Sequence, residues 1–358
     1  MRNPLGLMLA SVVMAVVIAG VWFWTSSPRA DATAPQTMAA RAADPLPDAA
    51  KAAAKDDVQT TAALSKRADA TPAAAAAPTP AAAPAPMPAP IAAAAPKCAN
   101  PDALGISRTV VVDTTGGPGF GFLQYKQFDF LTDHEIVLTF DDGPWPTTPA
   151  VLKALADECT KAVFFPIGLH TTYHPDILRQ VMAAGHTIGA HTWSHAHLGG
   201  KKMTEQMAKD EIEKGFSAVK VALGADPAPF FRFPALVHTP ATTAYLGSRN
   251  IAMFSVDVDS NDFKSKSSDE VIKNVMTGLD KAQDHKGIIL MHDLQKHTAQ
   301  ALPTLLRLLK AGGYKVVWMK PKTQIETLPE YDAMMAKTEK VSSAPSRPVS
   351  SVIQTVAQ

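Results

Sequence analysis

Residues Thr25–Lys97 set the first limit on what this chain can fold into. These 73 residues hold 30 alanines and 12 of the 29 prolines, and no Phe, Trp or Tyr. So few large apolar groups cannot offset the entropy of ordering the stretch, so no fold is expected there. A length of 358 residues taken alone would suggest two domains. With the Ala/Pro-rich segment set aside, about 260 residues remain after it, enough for one sizeable core.

Ahead of that segment, Arg2 precedes an uncharged apolar run of 20 residues, Leu5–Trp24. As a helix this run is about 30 Å long, the thickness of a bilayer core. Trp22, Phe23 and Trp24 suit an aromatic belt at the far interface. Two readings stay open: a retained anchor, favoured by the length, or a signal peptide cleaved near Ala30-Asp31-Ala32. Either one sends the remainder out of the cytoplasm, into the cell envelope or the space beyond it. The linker would average about 50 Å end to end as a coil and about 220 Å extended, a long tether. The expected organisation is 1–24 anchor or signal peptide, 25–97 linker, 98–327 folded domain and 328–358 loose tail.

The charge balance, 34 Lys+Arg against 33 Asp+Glu, comes without any Lys/Arg-rich block. That argues against a nucleic-acid partner held by phosphate neutralisation. No feature of the sequence points to a protein partner. Outside the cytoplasm the two cysteines, Cys98 and Cys159, are expected to pair, stapling the start of the folded domain to its body. Two free thiols are the alternative.

The folded part alternates strand and helix signals. Strands are expected at Glu135–Phe140, Lys161–Ile167, Thr187–Ala190, Phe230–Phe233, Ile251–Val258, Gly287–Met291 and Tyr314–Trp318. Helices are expected between them, at Thr148–Glu158, Pro175–Ala184, Thr204–Leu223, Thr239–Gly247, Ser268–Asp280 and Thr298–Ala311. Thr148 is the expected cap of the first. Seven strands spaced this way predict an α/β fold with a parallel sheet, most simply a barrel.

In such folds chemistry gathers at the C-terminal strand ends. Those ends deliver Asp141 and Asp142, then His191 and His195, Arg232, Asp262, and His292; all 11 histidines fall between His134 and His297. His191 and His195 are four apart, which on a helical turn puts both imidazoles on one side. Alone, such a pair is more often unrelated, and Asp141-Asp142 alone reads as a turn with solvated acids. Together, two histidines and one carboxylate with open positions make a catalytic metal pattern. The neighbouring aspartates would then divide the work. One would hold the metal, while the other takes a proton from a water made more acidic by it.

The order of motifs, TFDDGP at Thr139–Pro144, HTWSH at His191–His195, FRFP at Phe231–Pro234, DSNDF at Asp259–Phe263 and LMH at Leu290–His292, resembles the polysaccharide deacetylase family. This is carbohydrate esterase family 4, the NodB homology domain, and the resemblance runs from about Glu135 to Lys320. It implies a distorted (β/α)7 barrel. It implies Asp141 as catalytic base and Asp142, His191 and His195 as ligands of a divalent metal, usually Zn2+, with Co2+, Ni2+ or Mn2+ tolerated. It implies Arg232 as the partner of the base, His292 as the acid that protonates the leaving amine, and Asp262 as the carboxylate that raises the pKa of that histidine. Leu290 and Phe263 would border the acetyl methyl, and a backbone N–H near Ala235 would help the metal stabilise the oxyanion.

Two departures from the family pattern stand out. Phe263 replaces a common Trp, and Ala235-Leu236 follow Pro234 where a second proline and a tyrosine are common. Both bear on substrate choice rather than on ligands or proton transfer. The resemblance thus implies removal of N-acetyl groups from a GlcNAc-containing polymer, peptidoglycan first. The alternatives are an O-acetyl esterase acting on a polysaccharide such as xylan and a catalytically silent glycan-binding module.

Overall fold

The computed structural model describes residue 98 and residues 100–342. The expected anchor or signal peptide and the Ala/Pro-rich linker lie outside the described residues. No helix among the described residues is long and apolar enough to cross a membrane.

Ten strands and eight α-helices are described. The strands are β1 (Arg108–Val112), β2 (Gly119–Phe120), β3 (Glu135–Asp141), β4 (Val163–Phe165), β5 (Thr187–Ile188), β6 (Phe230–Phe231), β7 (Ala252–Phe254), β8 (Val258–Asp259), β9 (Gly287–His292) and β10 (Lys315–Pro321). The helices are α1 (Thr148–Asp157), α2 (Gly168–Tyr173), α3 (Pro175–Ala183), α4 (Glu205–Leu223), α5 (Pro240–Ser248), α6 (Ser268–Lys281), α7 (Lys296–Ala311) and α8 (Pro329–Ser342).

Every ladder is parallel. β3 is central and buried along its whole length, as expected for a strand covered on both faces. It pairs with β9 from Ile136↔Gly287 to Asp141↔His292, and with β4 from Thr139↔Val163 to Asp141↔Phe165. β4 carries β5, and a single bridge, Ala190↔Phe231, links onward to the sheet of β6, β7 and β2. The chain of β7 runs on into β8, which pairs with β9. The path therefore returns to its start, and the fold is a barrel-like β/α arrangement.

The period-2 alternation of β3 sorts its side chains. Ile136, Leu138 and Phe140 face outward, into a core with Val151 and Leu155 of α1, Val275 and Leu279 of α6, and Leu302, Leu305 and Leu309 of α7. Val137 faces inward, packed with Phe165, Phe230, Phe254 and Ile288. Thr139 and Asp141 share that inward face and lie nearer the C-terminal mouth, so the strand delivers Asp141 to the site by its pleat alone.

Each of the seven expected strands has a counterpart, with corrections. Ile251–Val258 splits in two, because Ser255–Asp257 leave the ladder of β7 before β8 joins β9. β10 pairs with β3 over only two residues and carries β1 on its other side, so it stands beside the closed path. The short β1 and β2 and the one-and-a-half-turn α2 were not expected. Thr147, not Thr148, caps α1, and its side chain makes no cap bond. The Thr148 hydroxyl instead bonds to Trp145 N and Asp293.

The expected loose tail is also corrected in part. Pro329–Ser342 form α8, packed against α4. Met335 is buried, Tyr331 Oη donates to Asp210, and Lys220 pairs with Asp332. The polar composition of the segment hid a helix held by one apolar side and several specific polar contacts.

Candidate active site

Asp141 and Asp142 leave β3 in opposite ways. Asp141 stays in the strand and points inward; Asp142 has φ 71°, in the left-handed region. That turn swings its carboxylate into the same mouth. The turn is held by Asp142 N donating to Phe165 O at 3.2 Å and by His170 Nδ1 meeting Asp142 O at 2.6 Å.

His191 and His195 do not sit on a helical turn. The segment is irregular, with Thr192 at φ 64° and His195 at φ 60°. The two rings nevertheless lie 5.0 Å apart, because neighbouring helices pin the loop. Gly168 N donates to Thr192 O, Leu169 N to Trp193 O, and Trp193 N to Glu211 O. The Glu211 carboxylate accepts from Ser194 N and Ser194 Oγ, each at 2.9 Å. Glu211 and His170 were missed from sequence, since nothing local marks either as a neighbour of the site.

Asp142, His191 and His195 form a three-residue donor cluster, with ligand atoms all within 4.8 Å of one another. Asp142 Oδ1 lies 3.5 Å from His191 Nε2 and 3.5 Å from His195 Nε2. It is buried and has no hydrogen-bond partner, an orphan that a cation would satisfy. His191 Nδ1 sits 2.7 Å from Arg232 O, so Nδ1 carries the proton and Nε2 keeps its lone pair for a ligand. Burial, the leading cause, pushes the His191 pKa down to about 3, so the ring is neutral, as a metal ligand must be. The residues present fit a divalent metal.

Beside this cluster Arg232 Nη1 donates to Asp141 Oδ1 at 2.8 Å and to Thr139 Oγ1 at 2.7 Å. Arg232 Nη2 donates to Ser255 O, and its guanidinium lies over the Phe165 ring. Burial raises the Asp141 pKa from its ordinary value, against the pull of Arg232. Asp141 Oδ2 remains clear of Arg232 and lies 3.9 Å from His191 Nε2.

On the other side, His292 Nδ1 meets Asp262 Oδ1 at 2.6 Å, and His292 N donates to Asp262 Oδ2 at 2.7 Å. Burial alone would lower the His292 pKa; the Asp262 hydrogen bond and charge, with Asp142 and Asp141, reverse this and raise it to about 9. Burial would raise the pKa of Asp262, but its bonds to His292 and Thr298 hold it below the ordinary carboxylate value. His292 Nε2 lies 3.9 Å from Asp142 Oδ2, so the imidazole faces the donor cluster.

Asp141, Asp142, His191, His195 and His292 line a cleft of about 330 Å³ with Ala235, Leu290 and Phe263, and with Phe233, Leu236 and Asp259, which the expected set lacked; Arg232 and Asp262 lie buried behind it. Phe263 is 50% exposed and meets the His292 ring edge to face. Ala235 and Leu236 both have positive φ, 50° and 58°, a conformation that turns this rim towards the cleft. Cys98 and Cys159 are joined as a disulfide with Cα atoms 5.7 Å apart.

The family model described as polysaccharide deacetylase matches residues 131–253. This domain belongs to the polysaccharide deacetylase family. The match spans β3 to β7 and so includes Asp141, Asp142, His191, His195 and Arg232; Asp262 and His292 of the deacetylase domain lie beyond it. The chain is 34% identical over 190 residues to the peptidoglycan-N-acetylglucosamine deacetylase PgdA of Listeria monocytogenes, covering 52% of this chain and 38% of that protein. It is 33% identical over 178 residues to chitin deacetylase 1 of Saccharomyces cerevisiae, covering 48% and 56%. Among solved structures, the Bdellovibrio bacteriovorus peptidoglycan deacetylase Bd3279 matches at TM-score 0.54 and 30% identity, covering 60% of this chain and 59% of that one. The chain thus spans less than two thirds of the length of each of these three.

Proposed function

We propose that the chain is a metal-dependent hydrolase that removes N-acetyl groups from a GlcNAc-containing polysaccharide. One observation carries this reading. A three-residue ligand set, an arginine-held acid and an aspartate-held imidazole converge on one cleft. Asp142, His191 and His195 would hold the metal, Zn2+ or one of Co2+, Ni2+ and Mn2+. When bound there, it would supply Lewis acidity towards an acetyl carbonyl and make a water more acidic.

The chain's own residues divide the remaining work. Arg232 occupies Asp141 Oδ1, which leaves Oδ2 to take a proton from the attacking water. The water oxygen adds to the acetyl carbonyl carbon, and the Ala235 backbone N–H meets the charge developing on the carbonyl oxygen. Asp262 fixes the His292 tautomer and keeps the ring protonated, so Nε2–H protonates the sugar nitrogen as the C–N bond breaks. Acetate and a free amine leave. Leu290 and Phe263 border the acetyl methyl and exclude water from it.

Peptidoglycan is the favoured polymer, on the likeness to the Listeria and Bdellovibrio deacetylases, with chitin-type chains next, on the likeness to the yeast enzyme. An envelope location outside the cytoplasm fits this substrate. In this reading 1–24 anchors the chain or directs its export, 25–97 tethers it, and the catalytic domain runs from Cys98 through α8. The test is acetate release by the full chain from peptidoglycan, chitin oligomers and acetylated xylan, with and without chelator. The expected result is release from the N-acetylated glycans, lost on chelation. Release from xylan alone, or glycan binding without acetate in any metal, would overturn the proposal.

A further inference from the structure

Asp293 follows His292 directly, yet the proton transfers above leave it unused. It is 1% exposed and faces the turn that leaves β3 rather than the cleft. The Thr148 hydroxyl donates to Asp293 Oδ2, and Thr147 Oγ1 donates to the Asp293 backbone carbonyl at 2.7 Å. Thr148 Oγ1 also accepts from Trp145 N at 2.9 Å. The strand end that carries His292 is therefore tied at two points to the segment just after Asp142, and the Trp145–Thr148 bond braces that segment from within.

Gly143 closes the other side. A Cβ at this position would collide with both carboxyl oxygens of Asp293. The φ of Gly143 is not in the left-handed region, so glycine is needed here for space and not for backbone freedom. Asp293 Oδ1 has no hydrogen-bond partner. A buried carboxyl with an orphaned oxygen costs stability, and a hydrophobic side chain would be cheaper if filling the space were all that counted.

We infer that Asp293 is a positioning residue that wedges against Gly143 and, through Thr147 and Thr148, fixes the turn that aims Asp142 at His191 and His195. The register Asp141↔His292 between β3 and β9 sets the two strand ends side by side; Asp293 locks together the two segments that leave those strands. The inference rests on the metal reading of the Asp142 cluster. It concerns metal affinity in the folded protein, not proton transfer.

The test is Zn2+ affinity of the purified full-length chain, read by competition with a chromophoric chelator, with thermal unfolding measured alongside. The variants are Asp293→Ala, Asp293→Asn and a core control, Leu279→Ala in α6, which loses apolar packing away from the turn. Asp293→Ala should weaken Zn2+ binding about 10–100-fold, the usual effect of removing a group that orients a ligand. Asp293→Asn, of the same shape, should recover most of the affinity, and Leu279→Ala should unfold earlier but bind normally once folded. Wild-type affinity in Asp293→Ala, an Asn variant as weak as the Ala variant, or an equal loss in Leu279→Ala would each overturn the inference. Absence of Zn2+ binding in the wild-type chain would overturn the metal reading itself and this inference with it.

Discussion

Arg232 Nη1 donates to Asp141 Oδ1 at 2.8 Å, and both side chains are almost wholly buried. Burial raises the Asp141 pKa, and Arg232 opposes that rise. A base works only when ionised, so with Asp141 as the proposed base Arg232 would set how far into the acid range the site stays active. In Arg232→Leu the Asp141 pKa should climb further. The acid limb of the pH–rate profile should then move to higher pH, while stability falls by about 3–5 kcal/mol from the unpaired buried carboxylate. A pH profile with an unmoved acid limb would contradict the pairing.

In the proposed mechanism the alkaline limb belongs to His292. Its pKa is raised to about 9, so the protonated acid is present below that pH and is lost as pH rises through it. Asp262→Asn removes the leading group that opposes burial, and burial then pushes the pKa down. The alkaline limb should shift to lower pH, with kcat at alkaline pH reduced about 10²–10⁴-fold, the range of general acid catalysis. The profile of kcat against pH for this variant decides the matter; an unshifted limb would show that Asp262 does not tune His292.

Much of this site was legible in the sequence because its residues sit at strand ends, and strands announce themselves as short apolar runs. EIVLTF and GIILM were readable, and so were the acid and the imidazole just beyond them. What sequence misjudged was local geometry. HTWSH suggested a helical turn, but its residues reach the same juxtaposition through an irregular loop anchored by Glu211, a residue on α4 with no local mark of the role. The α8 helix escaped for a related reason. Its burial depends on a partner helix more than 100 residues earlier, Lys220 meeting Asp332 and Asp210 meeting Tyr331, and composition carries no trace of such pairings.

The packing of α8 makes its own prediction. Met335, 4% exposed, should cost about 2–5 kcal/mol on replacement by alanine, through lost burial and the cavity left behind. The cleft is untouched, so kcat of the folded variant should stay at the wild-type value. Urea unfolding with a parallel assay separates the two effects, and an unchanged midpoint would mean that α8 is not docked.

The Cys98–Cys159 bond closes a loop with a sequence separation of 61. Constraining an unfolded loop of that size stabilises the native state by about 4 kcal/mol in the chain-entropy view. Reduction, or Cys98→Ser, should lower the urea midpoint accordingly. A midpoint insensitive to reductant would show that the bond contributes nothing.

The most direct measurement for the proposed chemistry is acetate release from an N-acetylglucosamine polymer by the Zn2+-loaded full chain. It would compare the wild type, the wild type after complete metal removal, and Asp141→Asn. The expected result is activity in the first, none on chelation with recovery on adding Zn2+, and a fall of about 10²–10⁴-fold in Asp141→Asn. Acetate release that survives both metal removal and the loss of the Asp141 carboxylate would contradict the assignment of the cleft.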